Sequence, residues 1–237
     1  MTRLCYHLNI EVTHRCNLRC VYCFNDSGVK HENEPDIIFW LKYLRHKLDD
    51  GLQSILITGG EPFMWPETIE LLESAQQMGL KTSILSNGYK VPELAQRYSD
   101  LFKKLLVAQI SLDSMNPQIH DQRRGFSGAW LQAIDAIDTF ISLGVPVEIS
   151  CTISTENIAE LEIVGKYCQS IGAAFLARPL LCVGRAKSSP LDPLPHNQLM
   201  VLRNDVLSKG IALIPDRFAY APDFFVTANC ENLNAWR

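Results

Sequence analysis

The chain has 237 residues, of which 47% are hydrophobic and 20% charged, and a net charge of −4. That is ample for one large hydrophobic core and gives no basic field for nucleic acid. There is no apolar run of roughly 18 residues, so no membrane span is expected. The opening residues lack the apolar stretch of a signal peptide, and a cytoplasmic protein with reduced thiols is expected.

Strand-like and helix-like segments alternate along the chain. Residues 6–12 alternate apolar and polar side chains and read as a strand. A helix over 36–48 carries Ile37, Leu41, Leu44 and Leu48 on one face. Residues 54–58 form a buried strand stopped by Gly59-Gly60. Pro66 opens and Gly79 ends a second helix. Residues 81–85 form a third strand stopped by Asn87-Gly88, and Pro92 starts the helix after it. A fourth strand spans 105–112, and Trp130, Ile134, Ile137 and Ile141 mark a long amphipathic helix ending at Gly144. Residues 145–152 form a fifth strand, with Pro146 at its start or on its unpaired side. Asn157 or Thr155 caps a helix running to 171, and residues 174–179 form the sixth strand.

Six β/α repeats predict an α/β fold. Parallel strands need helical crossovers, and the sheet is expected to curl into an open, partial (β/α)6 barrel with its chemistry in the loops after the strands. Residues 184–195 are rich in Pro and Ser and read as a linker. A helix over 196–208, a short strand over 211–214 and a tail over 223–237 with little periodicity follow. The expected division is a barrel over 1–186 and a linker with C-terminal extension over 187–237.

Eight cysteines are many for such a chain. Cys16, Cys20 and Cys23 crowd into Cys16-Asn-Leu-Arg-Cys20-Val-Tyr-Cys23. Three thiolates grip an inorganic cluster but leave one position of a closed four-ligand site empty. A zinc knuckle or redox pair would need a further ligand; His14 is nearest and awkwardly spaced. Cys5 and Cys151 lie in strand-like runs and read as buried, inert thiols; Cys182 and Cys230 are weak candidates for a catalytic hydrogen donor.

The Cys-x3-Cys-x2-Cys spacing resembles the signature of the radical S-adenosylmethionine (SAM) enzymes. By that resemblance a [4Fe–4S] cluster on the three cysteines binds SAM at its open iron and cleaves it to a 5′-deoxyadenosyl radical. Gly59-Gly60-Glu61-Pro62 resembles the family motif for the SAM amino group, with Glu61 accepting from the ammonium. Ser86-Asn87 and Ser111-Leu-Asp113, at strand tips, would meet ribose hydroxyls. The run from Ser111 through His120-Asp121-x-Arg123-Arg124 resembles the branch of anaerobic sulfatase-maturating enzymes and peptide-modifying maturases. By that match Ser111 and Arg123 hold the SAM carboxylate, with Arg124 as rival. Tyr22 would shield the cluster and pack near the adenine, and Arg178 and Arg185 are possible substrate or SAM contacts.

The resemblance implies an oxidoreductase that abstracts hydrogen from a peptide or protein side chain, fed by an external donor such as flavodoxin or ferredoxin. Alternatives are a radical SAM enzyme acting on a small-molecule cofactor or nucleotide precursor, a glycyl-radical activase, and a non-enzymatic metal-binding module. Relatives in the branch carry further C-terminal clusters; here only Cys230 lies beyond Cys182, so one cluster is expected.

Overall fold

Chain order and sheet order coincide. The computed structural model describes residues 6–32, 34–195 and 198. Strands β1 (Tyr6–Glu11), β2 (Leu52–Thr58), β3 (Lys81–Ser86), β4 (Val107–Ser111), β5 (Val147–Ile153) and β6 (Ala174–Pro179) lie side by side in that order. All are parallel. Helices α1 (Ile37–Asp49), α2 (Thr68–Gln77), α3 (Val91–Phe102), α4 (Pro117–Arg124), α5 (Ala129–Ser142) and α6 (Glu160–Ile171) make the crossovers. Right-handed crossovers that always step the same way keep the helices on one side, and the sheet curls into a half-barrel. Among the described residues, β1 and β6 are its two edges.

The register sorts the side chains. Ile10, Ile57, Ile84 and Ala108 are aligned partners, as are Ile110, Ile149 and Phe175, and all of them lie in one core with residues of the helices. The intervening positions face the other way and are mostly polar: His7, Asn9 and Glu11, Ser54 and Thr58, Gln109 and Ser111, Glu148, Arg178. His7 bonds Ser54 Oγ and Asn9 Oδ1, each at 2.9 Å, and Arg178 Nη2 donates to Gln109 Oε1 at 2.8 Å. A parallel sheet covered on both faces would be apolar on both; here the face under the helices is apolar, while the other mixes Leu56, Leu85 and Leu176 with a polar majority. Pro146 precedes β5, where its missing N–H leaves no gap in the ladder, and its carbonyl accepts from Ala108 N at 2.9 Å.

Three local features depart from the sequence reading. α4 was not expected, being too poor in apolar residues to show a periodic stripe; its ends are nonetheless marked, by Asn116 accepting from Gln118 N at 2.9 Å, by Pro117, and by Gly125 at φ 65°. α6 starts at Glu160 with Ala159 as its N-cap, while Ser154 and Asn157 close a capping box over the 3₁₀ turn Thr155–Asn157. The segment read as a linker packs against the barrel: Gly184–Ser188 is a 3₁₀ turn, and Leu194 is buried in the main core. The expected strand over 211–214, the tail, Cys5 and Cys230 lie outside the described residues, as does all of the helix over 196–208 except Gln198.

Candidate functional site

The loop after β1 carries Cys16, Cys20 and Cys23, all half-buried. Each sulfur faces a donor. Cys16 Sγ accepts from Leu18 N at 3.4 Å and Asn87 Nδ2 at 3.7 Å, Cys23 Sγ from Ser27 N at 3.3 Å, and Arg124 Nη1 stands 4.0 Å from Cys20 Sγ. Burial pushes the Cys16 thiol up to about 12 and raises Cys20 also. Such thiols become good ligands only when a metal centre supplies compensating positive charge.

The loop is held by backbone from other strand ends. Gly60 N donates to Thr13 O at 2.6 Å and Glu61 N to Arg15 O at 2.8 Å. A Cβ on Gly60 would stand 2.3 Å from Arg15 O, and one on Gly59 2.5 Å from Thr13 O. The close neighbour that requires the glycine pair is therefore the cysteine loop itself. From the other side, Arg19 N and Val21 N donate to the carbonyls of Arg124 (3.2 Å) and Arg123 (3.0 Å), satisfying orphan groups at the end of α4.

Glu61, at the N-cap of the 3₁₀ turn opened by buried Pro62, is fully buried. Its Oε1 accepts from Ser86 Oγ at 2.8 Å and Phe63 N at 3.2 Å, its Oε2 from Asn87 N at 2.8 Å. Burial pushes its carboxyl up to about 7, outweighing these bonds. Asn87 continues the chain of contacts to Cys16 and, at 2.9 Å, to Asn17 Oδ1. Glu61, Ser86, Asn87 and Cys16 thus form one connected group.

Asp113, at the tip of β4, is also fully buried. Arg124 Nη2 lies 3.1 Å from Oδ1, Arg123 Nε 3.7 Å from Oδ2, Thr152 N donates to Oδ1 at 2.9 Å, and the Tyr22 hydroxyl donates to Oδ2. Burial alone would raise this carboxyl; Arg124 and Arg123 override it and hold it below the usual range. Both guanidinium carbons sit over the Tyr22 ring, 5.1 and 5.4 Å from its centroid. Arg123 is committed further, with Nη1 on Ser154 Oγ and Nη2 on Thr152 O, both at 2.9 Å.

The structure thus gathers Tyr22, Asp113 and Arg123 into one knot, and Glu61, Ser86 and Asn87 into another. Ser111 is half-exposed at the end of β4. Cys182 is exposed; Cys151 is fully buried, as read from its strand. His14 stacks on His31 with centroids 4.0 Å apart. Among the described residues no three His, Cys, Asp or Glu side chains converge on a single metal ion. Two residues join the Asp113 knot that the sequence does not assign to the site. His120 Nδ1 accepts from Asp113 N at 3.1 Å, and Asn157 Nδ2 donates to Asp113 O at 3.1 Å. His120 lies in the run from Ser111 to Arg124 that resembles the maturase branch, and in the sequence Asn157 is marked only as a helix cap.

Residues 10–167 match the family model of the radical SAM superfamily. The chain belongs to the radical SAM superfamily. It is 28% identical over 213 residues to the antilisterial bacteriocin subtilosin biosynthesis protein AlbA of Bacillus subtilis, covering 88% of this chain and 48% of that protein. It is 25% identical over 197 residues to the AdoMet-dependent heme synthase of Methanosarcina barkeri, covering 80% of this chain and 55% of that one. In fold it is similar to Streptococcus suis SuiB bound to the precursor peptide SuiA, with TM-score 0.76 at 18% identity, covering 89% of this chain and 48% of that one. The chain spans about half the length of AlbA and SuiB. Radical SAM proteins use a [4Fe–4S] cluster and SAM, and the site suits both. Three thiols in one loop, each with a donor at its sulfur, are a donor set that would suit an iron–sulfur cluster. Among the described residues no helix is long and apolar enough to cross a membrane.

Proposed function

We propose that this chain is the cluster- and SAM-binding part of an enzyme that abstracts hydrogen from a peptide or protein side chain. The observation that carries the reading is a buried carboxylate, Glu61, whose three hydrogen-bond donors are all neutral, in contact through Asn87 with one of three clustered thiols. An uncompensated buried charge favours a cationic ligand, and the amino group of SAM is one.

In this reading Cys16, Cys20 and Cys23 hold the cluster, which when bound supplies the electron that cleaves SAM to a 5′-deoxyadenosyl radical. Glu61 receives the SAM ammonium. Ser86 and Phe63 N keep its carboxylate aimed, and Asn87 ties that carboxylate to the cysteine loop. Ser111, half-exposed at the end of β4, is left to meet the ribose. Arg123 and Arg124, set by Asp113 and Tyr22, carry two positive charges against one carboxylate, and the surplus suits the SAM carboxylate. The polar face of the half-barrel receives the substrate, and the similarity to AlbA and the SuiB fold supports a peptide there. The similarity to a heme synthase supports a second reading, a small molecule in the same place. Cys182, exposed beyond β6, is the candidate hydrogen donor in this reading. A flavodoxin or ferredoxin would supply electrons.

The test is anaerobic reconstitution with iron and sulfide, followed by SAM and dithionite. Iron-dependent visible absorption and 5′-deoxyadenosine are expected, both lost in Cys20→Ala. Protein that takes up iron without forming 5′-deoxyadenosine would refute the assignment. Mass spectrometry of candidate peptides after turnover separates the peptide reading from the small-molecule one.

A further inference from the structure

The two edges of the half-barrel, β1 and β6, share no ladder, yet the loops after them meet. The meeting point is Arg185, in the 3₁₀ turn that follows β6. Its backbone N donates to Cys23 O at 2.9 Å, its Nη1 to Cys20 O at 2.9 Å and its Nη2 to Ser27 O at 2.6 Å. Ser27 is the residue whose own N–H donates to Cys23 Sγ. One residue therefore holds the carbonyls of two of the three cysteines and of Ser27, the residue whose N–H bonds a cysteine sulfur. It also pairs with Asp26 at 2.9 Å. Asp26 sits at φ 51°, in the left-handed region that favours glycine. Next to Arg185, Gly184 lies so close to the loop that a Cβ would stand 2.1 Å from Phe24 O. Leu180 and Ala186 complete the contact by packing with Tyr22 between the cysteines.

The alternative roles for Arg185, contacts to substrate or SAM, do not fit a guanidinium turned onto loop carbonyls. A planar fork bridging two carbonyls is a positioning device, and residues that orient metal ligands from outside govern retention of the metal. We propose that Arg185 is a strut across the open side of the half-barrel: it fixes the cysteine loop to the end of β6, so that order at the cluster depends on the segment following the last strand. For cluster retention this rests on the cluster reading above; for the order of the loop it does not.

The apoprotein gives the first test. In Arg185→Ala, hydrogen exchange of amides 16–28 and tryptic cleavage after Arg19 should speed up about tenfold while the helices keep wild-type protection. Gly184→Ala should reproduce the effect with the charge intact. Arg185→Lys, which keeps the Asp26 pair but lacks the fork, should stay close to Arg185→Ala, and this separates geometry from charge even if the alanine variant folds poorly. Lys187→Ala, exposed in the same turn, should match wild type. In reconstituted protein, Arg185→Ala and Gly184→Ala should lose iron to a chelator about tenfold faster. Wild-type exchange and iron release in both variants would overturn the proposal. Wild-type protein that takes up no cluster would overturn the reading beneath it, while the apoprotein exchange would still decide whether Arg185 holds the loop.

Discussion

Among the described residues, Glu61 and Asp113, wholly buried just past the C-terminal ends of β2 and β4, are opposites. Asp113 is met by two cations, Arg123 and Arg124, as well as by a tyrosine hydroxyl and a backbone N–H. Glu61 is met only by neutral donors, from Ser86, Asn87 and Phe63. Burial penalises both, but only Asp113 has cations to offset it, so its carboxyl is held down while that of Glu61 is pushed up to about 7. A compensated carboxylate is already part of the scaffold. An uncompensated one keeps a charge deficit that an incoming cation can fill.

The sharpest way to break this contrast is Asp113→Ala, which leaves Arg123 and Arg124 buried without their anion. It should destabilise the protein by about 3–5 kcal/mol in urea unfolding; a loss under about 1 kcal/mol would mean Asp113 anchors nothing. Glu61→Gln should do the reverse, leaving the fold standing while weakening SAM binding about 10–100-fold by calorimetry, the scale of a lost charge-assisted bond.

The two carboxylates should also respond oppositely to pH. Glu61 has a folded value above its ordinary 4.5, at about 7. Its contribution is fully present below pH 4.5 and is lost as pH rises through 7; the shift corresponds to about 3 kcal/mol. Asp113 has a lowered folded value, so its contribution is present above the ordinary carboxylate range and fades as pH falls through the lowered one. Apoprotein unfolding measured from pH 4 to 8 should show a downward slope that Glu61→Gln flattens and Asp113→Ala leaves in place. The smallest effect expected is that of Ser86→Ala, about 1 kcal/mol, read as a further rise in the Glu61 pKa because one of its donors is gone.

Much of the barrel was legible in the chain. Period-two patterning in 6–12, apolar runs such as 54–58, and glycine and proline at the ends of the helices placed all six strands, because those signals are local. α4 was missed because its eight residues, with only Ile119 a large apolar side chain among them, bury histidine and arginine, which no hydrophobic stripe announces. The turn at 184–188 was read as linker because Pro and Ser nearby look like one; what orders it is a set of bonds to Cys20, Cys23 and Ser27, more than 150 residues earlier in the chain.

The sequence by itself determined the thiol triplet, the order of the β/α units and the carboxylates at the strand ends, since spacing and periodicity are written in neighbouring residues. Only the tertiary structure decided which carboxylate is neutralised, which backbone the paired glycines approach, and that Arg185 turns onto the cysteine loop. Those outcomes depend on which charges and carbonyls the curl of the sheet brings within a few ångströms, and burial then sets what each such meeting is worth.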